Sequence, residues 1–267
     1  IAALGQELAK LKDSFIEGRT PARVGMVFDW NSWWALELSS GPSKDMDYLK
    51  TVSRFYKPFF DRNIPVDILN IHGDFQNYDL IVAPMLYMTK EGVAEALTGF
   101  VRQGGTLVTT VMSGLADEND RCVFGEYPGK LKDVLGIWVE ETDAYRPEET
   151  NQIVVEGDLA FDRERYGCGF LCDIIHTRGA KPLGRYGSDF YAGVPCVTVN
   201  DFGKGKAYYI GTEPEEDYLS ELMGHICEHC GLKPVYRTGE AASMGVELTR
   251  RINEAGETIF AINHSRE

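Results

Sequence analysis

The feature that most constrains this chain is the order of short apolar runs and amphipathic stretches between residues 23 and 111. Arg23 to Phe28 is an apolar run after Thr20-Pro21, the mark of a buried strand. Asp47 to Asp61 then sets Tyr48, Val52, Phe55, Phe59 and Phe60 at helical spacing. Val66 to Asn70, after the turn Asn63-Ile64-Pro65, reads as a second strand, and Tyr78 to Ala83, closed by Pro84, as a third. Glu91 to Arg102 carries Val93, Leu97, Phe100 and Val101 on a helix that Gly104-Gly105 ends, and Thr106 to Val111 is a β-branched strand. Strand, helix, strand, strand, helix, strand implies parallel pairing with right-handed crossovers, which covers both faces of the sheet. The predicted fold class is therefore α/β, a mostly parallel, doubly wound sheet.

Past Val111 the alternation weakens into a β-rich extension. Ile153 to Glu156, Cys168 to Ile175, Ala180 to Tyr186 and Val194 to Asn200 read as short strands. The strand Lys206 to Gly211 follows the turn Asp201 to Gly205, and Asp217 to Cys230 is a closing helix. At the front, Ala3 to Glu17 places Leu4, Leu8, Leu11 and Phe15 on one stripe before Gly18. That stripe has no obvious partner in the rest of the chain and reads as the last helix of something upstream. At the back, Gly245 to Arg251 and Glu257 to Asn263 are β-rich runs joined by Asn253-Glu254-Ala255-Gly256, a hairpin signal. A lone hairpin is marginal in water, so further strands are expected beyond it.

Charge bounds the partners. Lys and Arg number 27 against 41 Asp and Glu, a net charge of -14, which repels phosphate backbones and anionic lipid. The expectation is no nucleic acid and no membrane partner; no run of 18 apolar residues occurs, and Ile1 to Lys12 lacks the order of a secretory signal. The six cysteines (Cys122, Cys168, Cys172, Cys196, Cys227, Cys230) are spread through a chain large enough to build its own core. They read as free thiols in a reducing, cytoplasmic compartment.

A sheet of this kind resembles the glutamine amidotransferase-like (flavodoxin-like) class, whose enzymes carry a cysteine on a sharp turn after the strand matching Thr106 to Val111. Small flanking residues let such a nucleophile project. Here the turn is Val111-Met112-Ser113-Gly114-Leu115, with no cysteine and no leading glycine. Ser113 takes the vestigial nucleophile position. A hydroxyl there would need a histidine held by a carboxylate, and no motif ties His176 or His225 to it, so it reads as a turn residue.

Other candidates are weaker. In His225-Ile-Cys-Glu-His-Cys230 the helical turn of about 100° per residue puts His225 and His229 on one face and Cys227 and Cys230 on the far side, so four zinc ligands cannot converge. Asp117-Glu-Asn-Asp120 lacks the glycine and distal glutamate of a calcium loop. Gly203 and Gly205, and Gly167 and Gly169, do not make a dinucleotide fingerprint and suit hairpins. Paired carboxylates for glycoside cleavage usually sit on strand ends of a barrel, and no eightfold strand-helix repeat exists here. No catalytic residue, metal or cofactor is expected.

The aromatic run Asp29-Trp30-Asn31-Ser32-Trp33-Trp34 follows the first strand, at the carboxyl edge where open α/β sheets present loops to ligands. Trp30, Trp33 and Trp34 can stack on sugar rings or anchor a subunit interface; the plainer reading makes at least one of them core.

Several strings carry a family likeness. They are Val27 to Trp34, Asn63 to Asp67, Gly104 to Val108, Ser113 to Arg121, Tyr127 to Gly129, Leu135 to Ile137, Asp189 to Gly193, Phe202 to Gly205, Gly245 to Arg251 and Asn263 to Ser265. Over nearly its whole length the chain resembles the middle domain of family 42 glycoside hydrolases. The resemblance implies a β-galactosidase of three parts. A TIM barrel holds both catalytic glutamates and hydrolyses terminal β-D-galactosides with retention; an amidotransferase-like domain makes a homotrimer; a small β-sandwich follows. On that basis residues 1–20 are the barrel's last helix, 21–236 the trimerisation domain and 237–267 the first sandwich strands. Neither catalytic glutamate maps to any residue here. The resemblance also implies that active sites lie near subunit contacts, so the Trp30 to Trp34 loop could line a neighbour's substrate funnel. Two alternatives stand beside this reading: a stand-alone amidotransferase-like hydrolase, and a galactoside-binding module built on the tryptophans.

Overall fold

The computed structural model describes residues 2–39, 41–157, 159–236 and 245–264. Two short helices, α1 (Ala2–Lys10) and α2 (Lys12–Phe15), precede β1 (Val24–Phe28). Then come α3 (Trp30–Leu38), α4 (Tyr48–Asp61), β2 (Val66–Asn70), β3 (Leu80–Ala83), α5 (Val93–Gln103) and β4 (Thr106–Thr110). The second half runs α6 (Lys132–Leu135), β5 (Ile137–Ala144), β6 (Asn151–Val155), β7 (Arg165–Thr177), β8 (Lys181–Tyr186), β9 (Pro195–Phe202), β10 (Gly205–Ile210), β11 (Thr212–Pro214) and α7 (Glu216–His229). A separate hairpin, β12 (Val246–Asn253) with β13 (Gly256–Asn263), follows.

One sheet of 11 strands organises the molecule, in the order β11-β7-β6-β8-β9-β10-β4-β3-β1-β2, with β5 beside β7. Neighbours from β2 through β1, β3 and β4 to β10 are parallel. The inner strands β1 and β3 are apolar on both sides because helices cover both sides. Along β3, Leu80 and Val82 join the core cluster that includes Phe55 and Phe59 of α4 and Leu219 and Leu222 of α7. The alternate residues Ile81 and Ala83 join Leu97, Phe100 and Val101 of α5 instead. The period of two along each strand thus sorts side chains between two cores. Gly205 marks the closest backbone approach: a Cβ there would collide with the carbonyls of Gly105 and Val101.

The expectation of a mostly parallel sheet holds for only that half. From β9 onward through β8, β6, β7, β11 and β5 every pairing is antiparallel. Short connections force this. Phe202 faces Gly205 across a two-residue turn in which Gly203 has φ +63°, and so tight a link can join only antiparallel strands. Gly167 and Gly169, expected in a hairpin, lie inside β7.

The two ends meet. Arg19 bridges Ile252 of β12, and the Asn253 side chain donates to the Ile16 carbonyl at 3.2 Å. The predicted single helix over Ala3 to Glu17 is broken at Leu11, and Leu4, Leu8 and Leu11 are exposed. The expected domain boundary at 236/237 and the final Ser265 to Glu267 lie outside or at the edge of the described residues.

Candidate functional site

In a sheet ordered β2-β1-β3-β4, the order in which successive strands are added reverses between β1 and β3, and the crevice beyond their carboxyl ends is where such folds place ligands. Two segments fill it here: Asp29 with α3 after β1, and the chain from Pro84 to Lys90 after β3. Asp29 is buried and extended, and its carboxylate caps α3 by accepting the Ser32 amide at 2.9 Å and the Ser32 hydroxyl at 2.8 Å. The cap explains why Trp30 to Trp34 is the first turn of a helix and not the expected loop. Lys90 reaches in from the other segment, 2.5 Å from Asp29 Oδ1 and 2.8 Å from Asn31 Oδ1. The Ser32 hydroxyl accepts the Met88 amide at 3.1 Å, which ties the two segments again. Below them Tyr48 accepts the Asp29 amide, and burial first, then the Asp29 charge against its one hydrogen bond, pushes the Tyr48 phenol up to about 12.

On this buried ionic base stands an aromatic layer. Phe28 meets Trp30, Trp33 and Tyr48 edge-on at 5.3, 5.9 and 5.5 Å between ring centres. Trp30 also packs on Trp33 and Trp34 at 5.1 and 5.9 Å. Trp30 and Trp34 are 53% and 52% exposed and Leu38 87%, so two indoles and a leucine face outward from one short helix. Trp33 lies deeper, partly buried against the core, yet its indole nitrogen is buried without a hydrogen-bond partner among the described residues. Trp33 thus packs against the core, while Trp30 and Trp34 face solvent.

The turn after β4 is the opposite kind of place. Its left-handed residue is Met112, at φ +66°, with Gly114 at φ +75° two positions on. Ser113, the expected vestigial nucleophile position, follows that residue directly. Both side chains are buried. The Ser113 hydroxyl accepts the Leu86 amide at 3.0 Å and lies 2.7 Å from the Thr109 hydroxyl, which donates to the Ala83 carbonyl at 2.8 Å. Thr109 has spent its proton on Ala83, so Ser113 must donate to Thr109, and the chain of donors is complete. A Cβ on Gly114 would lie 2.5 Å from the Pro128 carbonyl oxygen, so the loop that comes next closes the turn from outside.

Tyr127, from that loop, turns its hydroxyl to the Met112 and Ser113 backbone amides, which lower its pKa against a larger rise from burial. The hydroxyl lies 3.4 Å from that of Tyr209, which donates to Asp173 Oδ2 at 2.6 Å; Thr142 donates to Oδ1 at 2.6 Å. Asp173 is fully buried, and burial pushes its carboxyl up to about 7 against the pull of those two donors. No sequence motif pointed to this Tyr127-Tyr209-Asp173 relay, because its members come from three separate segments.

The remaining sequence candidates stay apart. His176 Nε2 lies 2.6 Å from Glu140 Oε2, its ring stacks on Trp138 at 4.2 Å, and His225 lies on α7, so among the described residues neither histidine contacts Ser113. Cys227 is buried in the core while His229 is exposed. Asp117 accepts the amides of Asn119 and Arg121 at 2.8 and 3.0 Å, an Asx turn. Among the described residues no three His, Cys, Asp or Glu side chains converge as a metal set.

The doubly wound sheet, with the turn after β4 packed shut and exposed indoles at its switch point, defines a domain of the α/β class. Known proteins specify the family: the profile described as "Beta-galactosidase trimerisation domain" matches residues 22–233, and the chain belongs to that family. It is 44% identical over 267 residues to a beta-galactosidase of Planococcus sp. (strain 'SOS Orange'), covering 100% of this chain and 39% of the relative. To a beta-galactosidase of Lactobacillus acidophilus it is 40% identical over 268 residues, with the same shares. A crystal structure of beta-galactosidase from Bacillus circulans sp. alkalophilus superposes with a TM-score of 0.94 at 42% identity, over 100% of this chain and 39% of that one. A GH42 beta-galactosidase from G. stearothermophilus gives 0.89 at 32% identity, over 100% and 38%. The chain thus spans about 39% of the length of the curated relatives it matches.

Proposed function

We propose that this chain is the assembly portion of a family 42 β-galactosidase, joining three copies of the polypeptide while hydrolysis of terminal β-D-galactosides takes place in a barrel elsewhere in it. The observation that carries the reading is the α3 rim, where two half-exposed indoles and a Trp33 N–H without a partner among the described residues stand on a helix fixed by a buried ion pair. Large exposed aromatics on a rigid base suit a subunit contact, and a buried donor without a partner calls for an acceptor from outside. The names and lengths of the relatives support the division of labour, and the exposed Leu4, Leu8 and Leu11 support an upstream body packed on α1. The outward Ile259 and Ile262 of β13 likewise favour further sheet beyond residue 264. Six free thiols favour a reducing, cytoplasmic site; among the described residues no helix is long and apolar enough to cross a membrane.

Sedimentation equilibrium of the chain, with an assay on a chromogenic β-galactoside, tests the proposal. Reversible self-association without turnover is the expected result. A strict monomer at all concentrations removes the assembly role, and release of galactose by this chain alone removes the division of labour. A tryptophan fluorescence titration with galactose is expected to stay flat; a saturating change assigns the rim to sugar.

A further inference from the structure

β12 is gripped from two sides, and the two grips differ in kind. On one side lies the short segment that joins α2 to β1. It leaves α2 through Glu17, at φ +58°, and runs antiparallel to β12 at Arg19. There Arg19 and Ile252 exchange both backbone bonds, amide to carbonyl at 3.0 and 2.9 Å, as in the hydrogen-bonded pair of an antiparallel ladder. One residue on, the Asn253 side-chain amide donates to the Asp13 carbonyl at 2.5 Å and to the Ile16 carbonyl at 3.2 Å. Asp13 belongs to α2, whose last carbonyls have no partner within the helix. The Asn253 side-chain oxygen accepts the Ala255 amide at 3.0 Å and so shapes the hairpin turn. One side chain therefore caps a helix and closes a hairpin.

On the other side lies the α/β body. The Leu248 amide donates to Asn63 Oδ1 at 2.8 Å, and the His264 ring lies 5.8 Å from that of Phe60. Asn63 is buried just past α4 at φ +51°, and its carbonyl accepts the Val235 amide at 2.8 Å. Around this pin the two surfaces stand apart. A cleft of about 120 Å³ separates Tyr56, Phe60, Ile64 and Val66 of the body from Glu247 and Thr249 of β12. Protein interiors leave few voids larger than a water molecule, so this seam is loose, while the seam with residues 13–19 is held by paired backbone.

We propose that residues 13–19 and the hairpin of β12 and β13 form one unit, latched by Asn253, that hangs on the α/β body at Asn63 and turns there as a piece. Opening the first seam strands the Arg19 and Ile252 amides together with their carbonyl acceptors; opening the second at Asn63 frees the Leu248 amide beside a cleft. Where a body is packed on α1, as proposed above, the latch moves it together with the hairpin, and Asn63 sets the angle at which both meet the assembly domain. That consequence rests on the proposed function, whereas the unit is a property of this chain. Hydrogen exchange reads the unit and sedimentation reads the assembly, so either can fail without the other.

Amide hydrogen exchange of the whole chain, resolved to single residues by NMR, tests the unit. In the parent, the Arg19 and Ile252 amides are expected to share one opening free energy across a denaturant series. Asn63→Gly keeps the left-handed backbone and removes the acceptor; the Leu248 amide is expected to exchange about fivefold faster, while Arg19 and Ile252 keep their parent rates. Asn253→Ala removes the latch, and Arg19 and Ile252 are expected to exchange about tenfold faster together, with the amides of β1 and β3 unchanged. Separate openings of Arg19 and Ile252 in the parent, or their acceleration by Asn63→Gly to the extent seen at Leu248, mean that the body holds the two segments independently and overturn the proposal. Parent rates at both amides in Asn253→Ala remove the latch, and a parent rate at Leu248 in Asn63→Gly removes the pivot.

Discussion

Two turns at the same carboxyl edge of the sheet have been put to opposite use. After β1, a buried Asp29–Lys90 pair supports an outward layer of indoles. After β4, the turn at Met112 is left-handed yet buried, and its amides meet Tyr127 instead of an open space. An enzyme on such a sheet needs the second turn open and carrying a nucleophile. Here polar groups at both turns are spent on structure, and only the first turn presents a surface. The difference teaches that in this chain buried charge serves to hold an exposed aromatic face in place.

The sharpest way to break that contrast is to remove the base of the rim. Lys90→Met leaves the buried Asp29 carboxyl without its ion-pair partner, and breaking such a pair from one side costs about 3–5 kcal/mol. Chemical denaturation is expected to show a loss of that size, and self-association to fall with it because α3 loses its anchor. A variant as stable as the parent means that Asp29 is solvated and that the rim does not depend on the pair.

The closed turn makes its own prediction through pH. The Asp173 carboxyl titrates at about 7 in the fold against an ordinary 3.8. The folded state therefore holds a proton between those values that the unfolded chain has released, and stability from this group is greatest below about pH 4. It is lost as pH rises through 7 and level above that. The full swing is about 4 kcal/mol at 1.36 kcal/mol per unit. Asp173→Asn is expected to flatten the difference in unfolding free energy between pH 5 and pH 8; equal slopes in parent and variant would show the carboxylate ionised throughout. A smaller change at the same place, Ser113→Ala, strands the Leu86 amide and breaks the link to Thr109, at a cost of about 1–3 kcal/mol.

The parallel half was legible in the sequence because its strands are apolar on both faces and its helices periodic, as in Leu80 to Ala83 beside Val93 to Gln103. β5 was not: after Val139 the strand runs Glu140-Glu141-Thr142-Asp143 around a register shift against β7, so neither a two-residue period nor an apolar run remains. The indoles were legible as an aromatic cluster after β1, but their helix was not, since apolar residues at 30, 33, 34, 36 and 38 surround α3 without an amphipathic face. Asp29 followed three residues later by Ser32 was the available signal, a cap with a polar third position. Lys90 could not be read at all, because a lone lysine 61 residues from its partner leaves no local pattern. Met112 was hidden for a related reason: only the spacing to Gly114 marks the left-handed residue, and a buried methionine otherwise looks like core.

The finest test separates holding the rim from being the rim. Trp34 is 52% exposed and touches the layer chiefly through Trp30, with ring centres 5.9 Å apart. A surface substitution away from caps, charges and cavities changes stability within about 0.5 kcal/mol, so Trp34→Ala is expected to unfold at nearly the parent denaturant midpoint. If α3 is the contact face, the same variant loses an aromatic anchor worth about 2 kcal/mol or more, roughly a thirtyfold weaker association. Lys90→Met lowers stability and association together, whereas Trp34→Ala lowers association alone. Association that survives Trp34→Ala moves the contact to another face and leaves the indoles as an open rim, while stability that falls with it means that Trp34 is part of the core.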